Sequence, residues 1–73
     1  MGRNERIKIH SAPKLFDVVE LLSSRPGASP TAGALGTIVE ELPGDSYLVE
    51  FCDDEGRTIS IETLTAADVA VRR

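Results

Sequence analysis

The chain has 73 residues, a formal net charge of −4 and a hydrophobic content of 41%. Its single cysteine excludes an internal disulfide, and no apolar run approaches the roughly 20 residues that span a bilayer. The chain has three aromatic residues and no tryptophan. This scarcity argues against a base-stacking platform and against an aromatic groove for proline-rich peptides. Because no signal-peptide order opens the chain, we expect a soluble, cytoplasmic protein without a membrane partner.

Charge is distributed unevenly along the chain. Residues 1–14 carry four cations against one acid, whereas residues 15–71 carry two cations against eleven acids, a net charge of −9. An acidic body repels phosphate backbones, so we expect no nucleic-acid partner on it. Residues 1–13 are predicted to be a flexible basic leader, although Arg6–His10 alternates like a short edge strand, and residues 14–73 are predicted to form one domain.

The first predicted strand is Leu15–Leu22. Leucine and glutamate would also suit a helix, but eight residues are short for one, and the aromatic and β-branched side chains favour a strand. Both faces of this strand are apolar, one carrying Val19 and Leu21 and the other carrying Phe16, Val18 and Leu22. The pattern therefore predicts partial burial on both sides of the strand.

A long connection, Ser23–Leu35, precedes the second predicted strand, Gly36–Leu42. The connection is rich in glycine, proline and serine, and its length indicates either a family-specific flap or a flexible excursion. The alternation of the strand breaks near Glu40. A bulge or sharp bend there would restore the pattern, as small barrels require in order to close.

Tyr47–Phe51 and Thr58–Ile61 are the third and fourth predicted strands, and glycine-bearing turn clusters separate the strands from one another. Gly56 is predicted to end its turn with a positive φ. The side chains predicted to face inward are Tyr47, Val49 and Phe51 on the third strand and Ile59 and Ile61 on the fourth.

Residues 64–68 suit a single helical turn. Thr65 is the expected N-cap, and Asp68 stands where a capping box places its acidic partner. Val69 and Val71 then supply a last short strand.

This order of elements predicts an all-β fold: a small five-stranded SH3-like barrel with a long loop after the first strand and one short helical turn before the last. An oligonucleotide-binding barrel is the alternative. It usually has a longer helix between its third and fourth strands, where this chain has a tight turn.

Several segments together resemble one family of small bacterial proteins, known as domain of unknown function 4926. The segments are KLFDVVELL, AGxxGTIVE, YLVEF, DEGRT and LTAADV, and they cover Lys14–Val71. The resemblance implies an SH3-like barrel akin to that of the nitrile hydratase β subunit and its small activators. It brings no established activity and no catalytic residues, although some such proteins lie beside genes for toxin-like or nuclease-like products.

No residues of this chain form a recognisable catalytic, cofactor-binding or metal-binding pattern. The acids that follow Cys52 disfavour the thiolate that a nucleophilic cysteine needs. His10 has no partner in sequence for a Cys–His or Ser–His arrangement. The acidic run after Cys52 lacks the alternating ligands of an EF-hand and is typical of a tight hairpin.

The candidate function is therefore a non-catalytic, acidic protein-binding module of the antitoxin, immunity or enzyme-accessory type, with a partner encoded nearby. Its acidic hairpins would steer a cationic protein toward it. A homodimer is also compatible with so small a core. The alternative is a nucleic-acid-binding SH3-like barrel, which the GxxGxI pattern at Gly33–Ile38 favours and the acidic body opposes. The residues predicted to contact the partner are Glu40, Glu41, Asp45, Asp53, Asp54 and Glu55.

Overall fold

The computed structural model describes residues 12–24, 27 and 30–72. Within them, five antiparallel strands form one sheet in the order β4-β3-β2-β1-β5. The elements are β1 (Val18–Leu21), β2 (Leu35–Leu42), β3 (Ser46–Cys52), β4 (Thr58–Thr65), a 3-10 turn (Ala66–Asp68) and β5 (Val69–Val71). The predicted all-β fold is thus confirmed, with its long loop after the first strand and its helical turn before the last. The predicted edge strand, Arg6–His10, lies outside the described part, and so does the predicted basic leader, residues 1–13, apart from Ala12 and the buried Pro13.

The sheet is strongly curled, because its two edge strands are consecutive in the chain. In a flat sheet, the four steps from β4 to β5 would span roughly 19 Å at the usual strand spacing. Only the 3-10 turn joins β4 to β5, and four residues reach at most about 14 Å when fully extended. The sheet therefore folds back on itself at this end and gains an inner and an outer face.

The 3-10 turn is held by its two ends. The Asp68 carboxylate accepts hydrogen bonds from the backbone N–H of Thr65 at 2.8 Å and from its hydroxyl at 3.1 Å. In addition, the Asp68 carbonyl accepts the N–H of Leu22 at 2.9 Å, which ties the turn to the end of β1. The predicted pairing of Thr65 with Asp68 is confirmed.

The core lies on the inner face of the sheet. Val49 and Phe51 of β3 are fully buried there together with Ile38 of β2, and the predicted inward stripe of β3 is confirmed. Tyr47 completes that stripe. The same core cluster includes Val19, Leu21, Leu64 and Val69.

A bulge in β2 restores the pattern that the sequence breaks. Ile38 pairs with Val49 and Glu40 pairs with Leu48, so Val39 is the extra residue. The inserted residue turns Glu40 to the outer face, as the predicted bulge near Glu40 requires.

Gly36 is the point of closest approach between β2 and β3. A Cβ atom at this position would lie 2.7 Å from Cγ1 of Val49 and 2.9 Å from Cε1 of Phe51. These distances are shorter than van der Waals contact, so two core side chains occupy the space that any side chain at position 36 would need.

The predicted burial of Ile59 and Ile61 is wrong. On β4, Ser60 pairs with Phe51 and Leu64 pairs with Tyr47. Residues directly opposite each other share a face of the sheet, so Ser60 and Leu64 face inward and Ile61 faces outward. β4 extends to Thr65 and Ile59 lies in a register shift, so Leu64, beyond the predicted end of the strand, supplies the core contact.

The predicted two-sided burial of the first strand is also wrong. β1 is only four residues long, Val18–Leu21, and only its inner side chains are buried. The opposite side chains, Phe16, Val18 and Leu22, are exposed. The described residues place no second layer over that face of the sheet.

Candidate protein-binding surface

The β2–β3 hairpin carries the first predicted acidic cluster, with Asp45 in the turn and Glu40 and Glu41 near the end of β2. All three are exposed. Gly44 and Asp45 both adopt positive φ, 76° and 59°, a conformation that glycine adopts freely and aspartate tolerates. The glycine and the aspartate that the sequence places in this turn therefore account for its conformation.

The turn between β3 and β4 carries the second cluster, Asp53, Asp54 and Glu55, and its geometry is built around Asp53. Oδ1 of Asp53 accepts the backbone N–H groups of Glu55 at 2.9 Å and Arg57 at 3.0 Å. Gly56 closes the turn at a φ of 82°, as predicted.

Arg57 lies beside this cluster and offsets part of its charge. Its guanidinium approaches Asp53 at 3.1 Å and Glu55 at 2.6 Å. The hydrogen bond from the Arg57 backbone lowers the pKa of Asp53; burial opposes it, and hydrogen bonds from the Glu55 N–H and the Arg57 side chain lower the pKa further. The main role of Asp53 is thus to stabilise the turn. Asp54 is the acid of this cluster for which no ion pair with Arg57 is seen.

The two acidic clusters do not form one site. They lie at opposite ends of β3, Ser46–Cys52, and therefore about 20 Å apart at the rise of a β-strand. This separation exceeds the Debye length of about 8 Å at physiological salt. Each cluster would therefore attract a cationic protein independently of the other.

The outer face of the sheet carries an apolar surface that the sequence analysis assigned to the interior. A row of paired residues crosses it from β1 to β4: Val18, Thr37, Glu50 and Ile61. We call the outer apolar surface the set of its exposed large apolar side chains, Val18 (43%), Leu35 (53%), Ile59 (48%) and Ile61 (53%).

Polar groups interrupt the outer apolar surface. The Glu50 carboxylate, half-buried in the middle of the row, accepts a hydrogen bond from the Thr58 hydroxyl. Glu20 forms an ion pair with Arg72 at 2.7 Å. The surface thus combines aliphatic side chains with carboxylates that are held by hydrogen bonds or ion pairs.

A sequence signal for this surface existed. In Leu15–Leu22, apolar residues occur at both odd-numbered and even-numbered positions. A strand with this pattern usually has both of its faces buried. The domain itself covers one face only.

A tight turn at Lys14–Asp17, which we call the Phe16 turn, leads into β1. Phe16 is 71% exposed and has a φ of 70°, a left-handed conformation that costs about 1–2 kcal/mol for a residue with a Cβ. The Phe16 N–H donates to the Ile38 carbonyl at 2.7 Å, and the Leu15 N–H donates to Oε2 of Glu41 at 2.9 Å. Sequence reasoning missed this turn because the residues read as the start of the strand.

The remaining chemistry-bearing residues do not assemble into a site. Cys52 is an exposed free thiol, and His10 lies outside the described residues. Over residues 12–24, 27 and 30–72, no three side chains of histidine, cysteine, aspartate or glutamate come together in a way that would hold a metal ion. In that same part of the chain, no helix has the length and apolar character needed to cross a membrane.

Comparison with known families matches residues 15–71 to the family described as domain of unknown function (DUF4926). The chain belongs to this family. The match begins within the Phe16 turn and ends with β5, so all five strands of the described structure belong to the DUF4926 domain. Neither the curated proteins nor the solved structures that were searched gave a match.

Proposed function

We propose that this DUF4926 domain is a non-catalytic protein-binding module that buries its outer apolar surface against another protein. The observation that carries the proposal is the alternation of β1 and β4, whose outward positions hold Val18, Ile59 and Ile61 where solvent-exposed strands usually carry polar residues. Exposed apolar side chains that gather on one face of a sheet and are bordered by polar groups are found at interaction sites of soluble proteins.

Charge determines the kind of partner in this proposal. Residues 15–71 have a net charge of −9, and two acidic hairpin turns extend from the ends of β3. A cationic protein would be steered toward such a body, and its association would slow as salt rises. A toxin or nuclease neutralised by this domain, or an enzyme that it stabilises or matures, would suit this charge. We expect the gene of the partner to lie nearby.

A closer structural relationship is part of the proposal. The strand order β4-β3-β2-β1-β5, the bulge in β2 and the 3-10 turn before β5 are features expected of an SH3-like barrel, such as that of the nitrile hydratase β subunit. Small barrels of this type bind partners through loops and exposed strand faces rather than through a buried cavity.

The test is co-expression of the tagged chain with the product of the adjacent gene, followed by size-exclusion chromatography at 0.05 M and 0.5 M NaCl. We expect a complex that weakens at high salt and is lost when Ile61 and Val18 are both changed to threonine. Threonine keeps β-branched shape and strand propensity, so the sheet should persist. Thr63→Val is the companion variant: it adds an apolar group beside Ile61 on the same face of β4, so the complex should persist.

Two results would reject this function. One is the absence of any salt-sensitive complex with a neighbouring gene product. The other is micromolar binding to an oligonucleotide by a chain without residues 1–13, which would favour the nucleic-acid alternative over the protein partner.

A further inference from the structure

The Phe16 turn holds a bulky aromatic side chain in a conformation and an environment that both disfavour it. Phe16 is 71% exposed, so its ring gains little from burial in the domain. Its φ of 70° is one that glycine or asparagine would adopt with less strain. The isolated fold therefore gains nothing from phenylalanine at this position.

The backbone around Phe16 is nevertheless held firmly. The N–H of Lys14 donates to Oδ2 of Asp17, and the N–H of Asp17 donates back to the Lys14 carbonyl, both at 2.9 Å. The N–H of Phe16 and the carbonyl of Asp17 bond to the two backbone groups of Ile38 on β2 at 2.7 and 3.0 Å. Hydrogen bonds to a buried strand residue on one side and within the turn on the other therefore fix the backbone at Phe16 and the direction of its Cα–Cβ bond.

An exposed, pre-oriented aromatic side chain is the usual form of an anchor that enters a pocket of a partner. Such residues carry much of the binding energy of an interface, because a fixed ring loses little conformational entropy on binding. Backbone strain that the surrounding structure maintains is itself a reason to look for function.

The charge around the turn indicates what borders that pocket. Glu41 lies in the hydrogen-bond network of the turn and Glu40 precedes it on β2, so among the described residues of this surface two exposed carboxylates accompany the ammonium of Lys14. The same charge disfavours a second copy of the chain as the occupant, since two acidic turns would meet.

We infer that the Phe16 turn is a rigid aromatic anchor that inserts into an apolar pocket, bordered by lysine or arginine side chains, on the protein partner. This inference rests on the proposed function and adds to it the residue that enters the partner and the chemistry of the pocket. Leu15, half-exposed beside Phe16, would cover the rim of the pocket.

The experiment places the photoreactive residue p-benzoylphenylalanine at position 16 of the full chain, in the cells that produce it, and identifies the adduct. The adduct protein is then purified, and its Kd is measured for the wild-type chain, Phe16→Asn and the matched control Leu22→Asn. Leu22 is also an exposed apolar residue, and it lies just after the other end of β1. Asparagine tolerates positive φ, so Phe16→Asn should keep or raise the Tm.

The expected result is an adduct with a different protein whose Kd rises about 30-fold or more with Phe16→Asn, less than threefold with Leu22→Asn, and further in 0.5 M NaCl. An adduct with a second copy of the chain, or binding of the wild type but not Phe16→Asn to phosphatidylcholine–phosphatidylglycerol vesicles, would overturn the inference. Equal weakening by both variants would overturn it as well.

A separate outcome distinguishes this inference from the proposed function. If a partner binds Phe16→Asn as tightly as wild type but binds the Val18 and Ile61 threonine variant weakly, the anchor is rejected and the outer apolar surface stands. If no adduct forms with the photoreactive residue at position 16 or at position 61, both proposals fail.

Discussion

The two faces of the sheet have similar side chains and different surroundings. On the inner face, Val49 and Phe51 are fully buried, whereas on the outer face Ile59 and Ile61 of the neighbouring strand are about half exposed. β-branched and aliphatic residues occur on both. Apolar character therefore shows that a position favours burial, but the register and the curl of the sheet decide whether this chain provides it.

Phe51→Ala should cause the largest loss of stability, because it removes a fully buried ring from the inner face. Loss of a buried phenylalanine costs about 3–5 kcal/mol, which is most of the stability of a domain this small. Ile61→Ala on the outer face should change the free energy of unfolding by less than about 1 kcal/mol. Urea denaturation followed by circular dichroism measures both, and similar losses for the two variants would contradict the assignment of faces.

Gly36→Ala tests how tightly the inner face is packed. The added methyl group would meet Val49 and Phe51 at 2.7 and 2.9 Å, and overpacking of this kind costs about 1–3 kcal/mol. The neighbouring Thr37→Ala on the outer face is the control and should cost much less. A Gly36→Ala protein that is as stable as wild type would show that β2 and β3 have more room between them than the structure gives.

Phe16→Asn should change stability in the opposite direction to a core substitution. Relief of the left-handed strain is expected to raise the free energy of unfolding by up to about 1 kcal/mol, in contrast to the loss caused by a core substitution. Asp45→Asn, at the other positive-φ residue of the described chain that is not glycine, should change stability by no more than about 0.5 kcal/mol. A clear loss of stability in Phe16→Asn would mean that the ring supports the fold.

Asp53→Asn should give the smallest effect, and one that depends on pH. The pKa of Asp53 is lowered in the folded chain, chiefly by the hydrogen bond from the Arg57 backbone. The ionised Asp53 therefore stabilises the fold at pH values above the ordinary carboxyl pKa, which is about 4. This contribution is lost as the pH falls through the lower pKa that Asp53 has in the folded chain. Acid titration of the unfolding transition should show a shallower loss for Asp53→Asn than for wild type, whereas Asp54→Asn should match wild type.

Local chemistry made much of the fold predictable. The turn residues at 43–46 and 53–56 and the inward stripe of β3 need only sequence neighbours to be interpreted, and they are confirmed. The bulge near Glu40 was also predictable, because an interrupted alternation within one strand is visible in sequence. The resemblance to DUF4926 is confirmed by the family match over residues 15–71.

The candidate site was less predictable. Its six acidic residues stay a prediction, and they form two separate clusters, one of which is partly offset by Arg57. The outer apolar surface was misassigned because Ile59 and Ile61 alternate as well as any core pair. Their face depends on pairing with β3, which places Ser60 opposite Phe51.

The sequence by itself determined the all-β class, the order of five strands, the turns and the acidic character of the body, since these follow from backbone preferences and charge that act locally. Only the tertiary structure decided which apolar residues are buried. A strand has two faces that alternate with every residue, and pairing offset by one residue would exchange them, so the pairing of Ser60 with Phe51 decides that Ile61 faces outward. The same structure placed Phe16 outside the first strand, in a turn whose conformation depends on hydrogen bonds to Ile38 and Glu41, residues that lie more than twenty positions away in the chain.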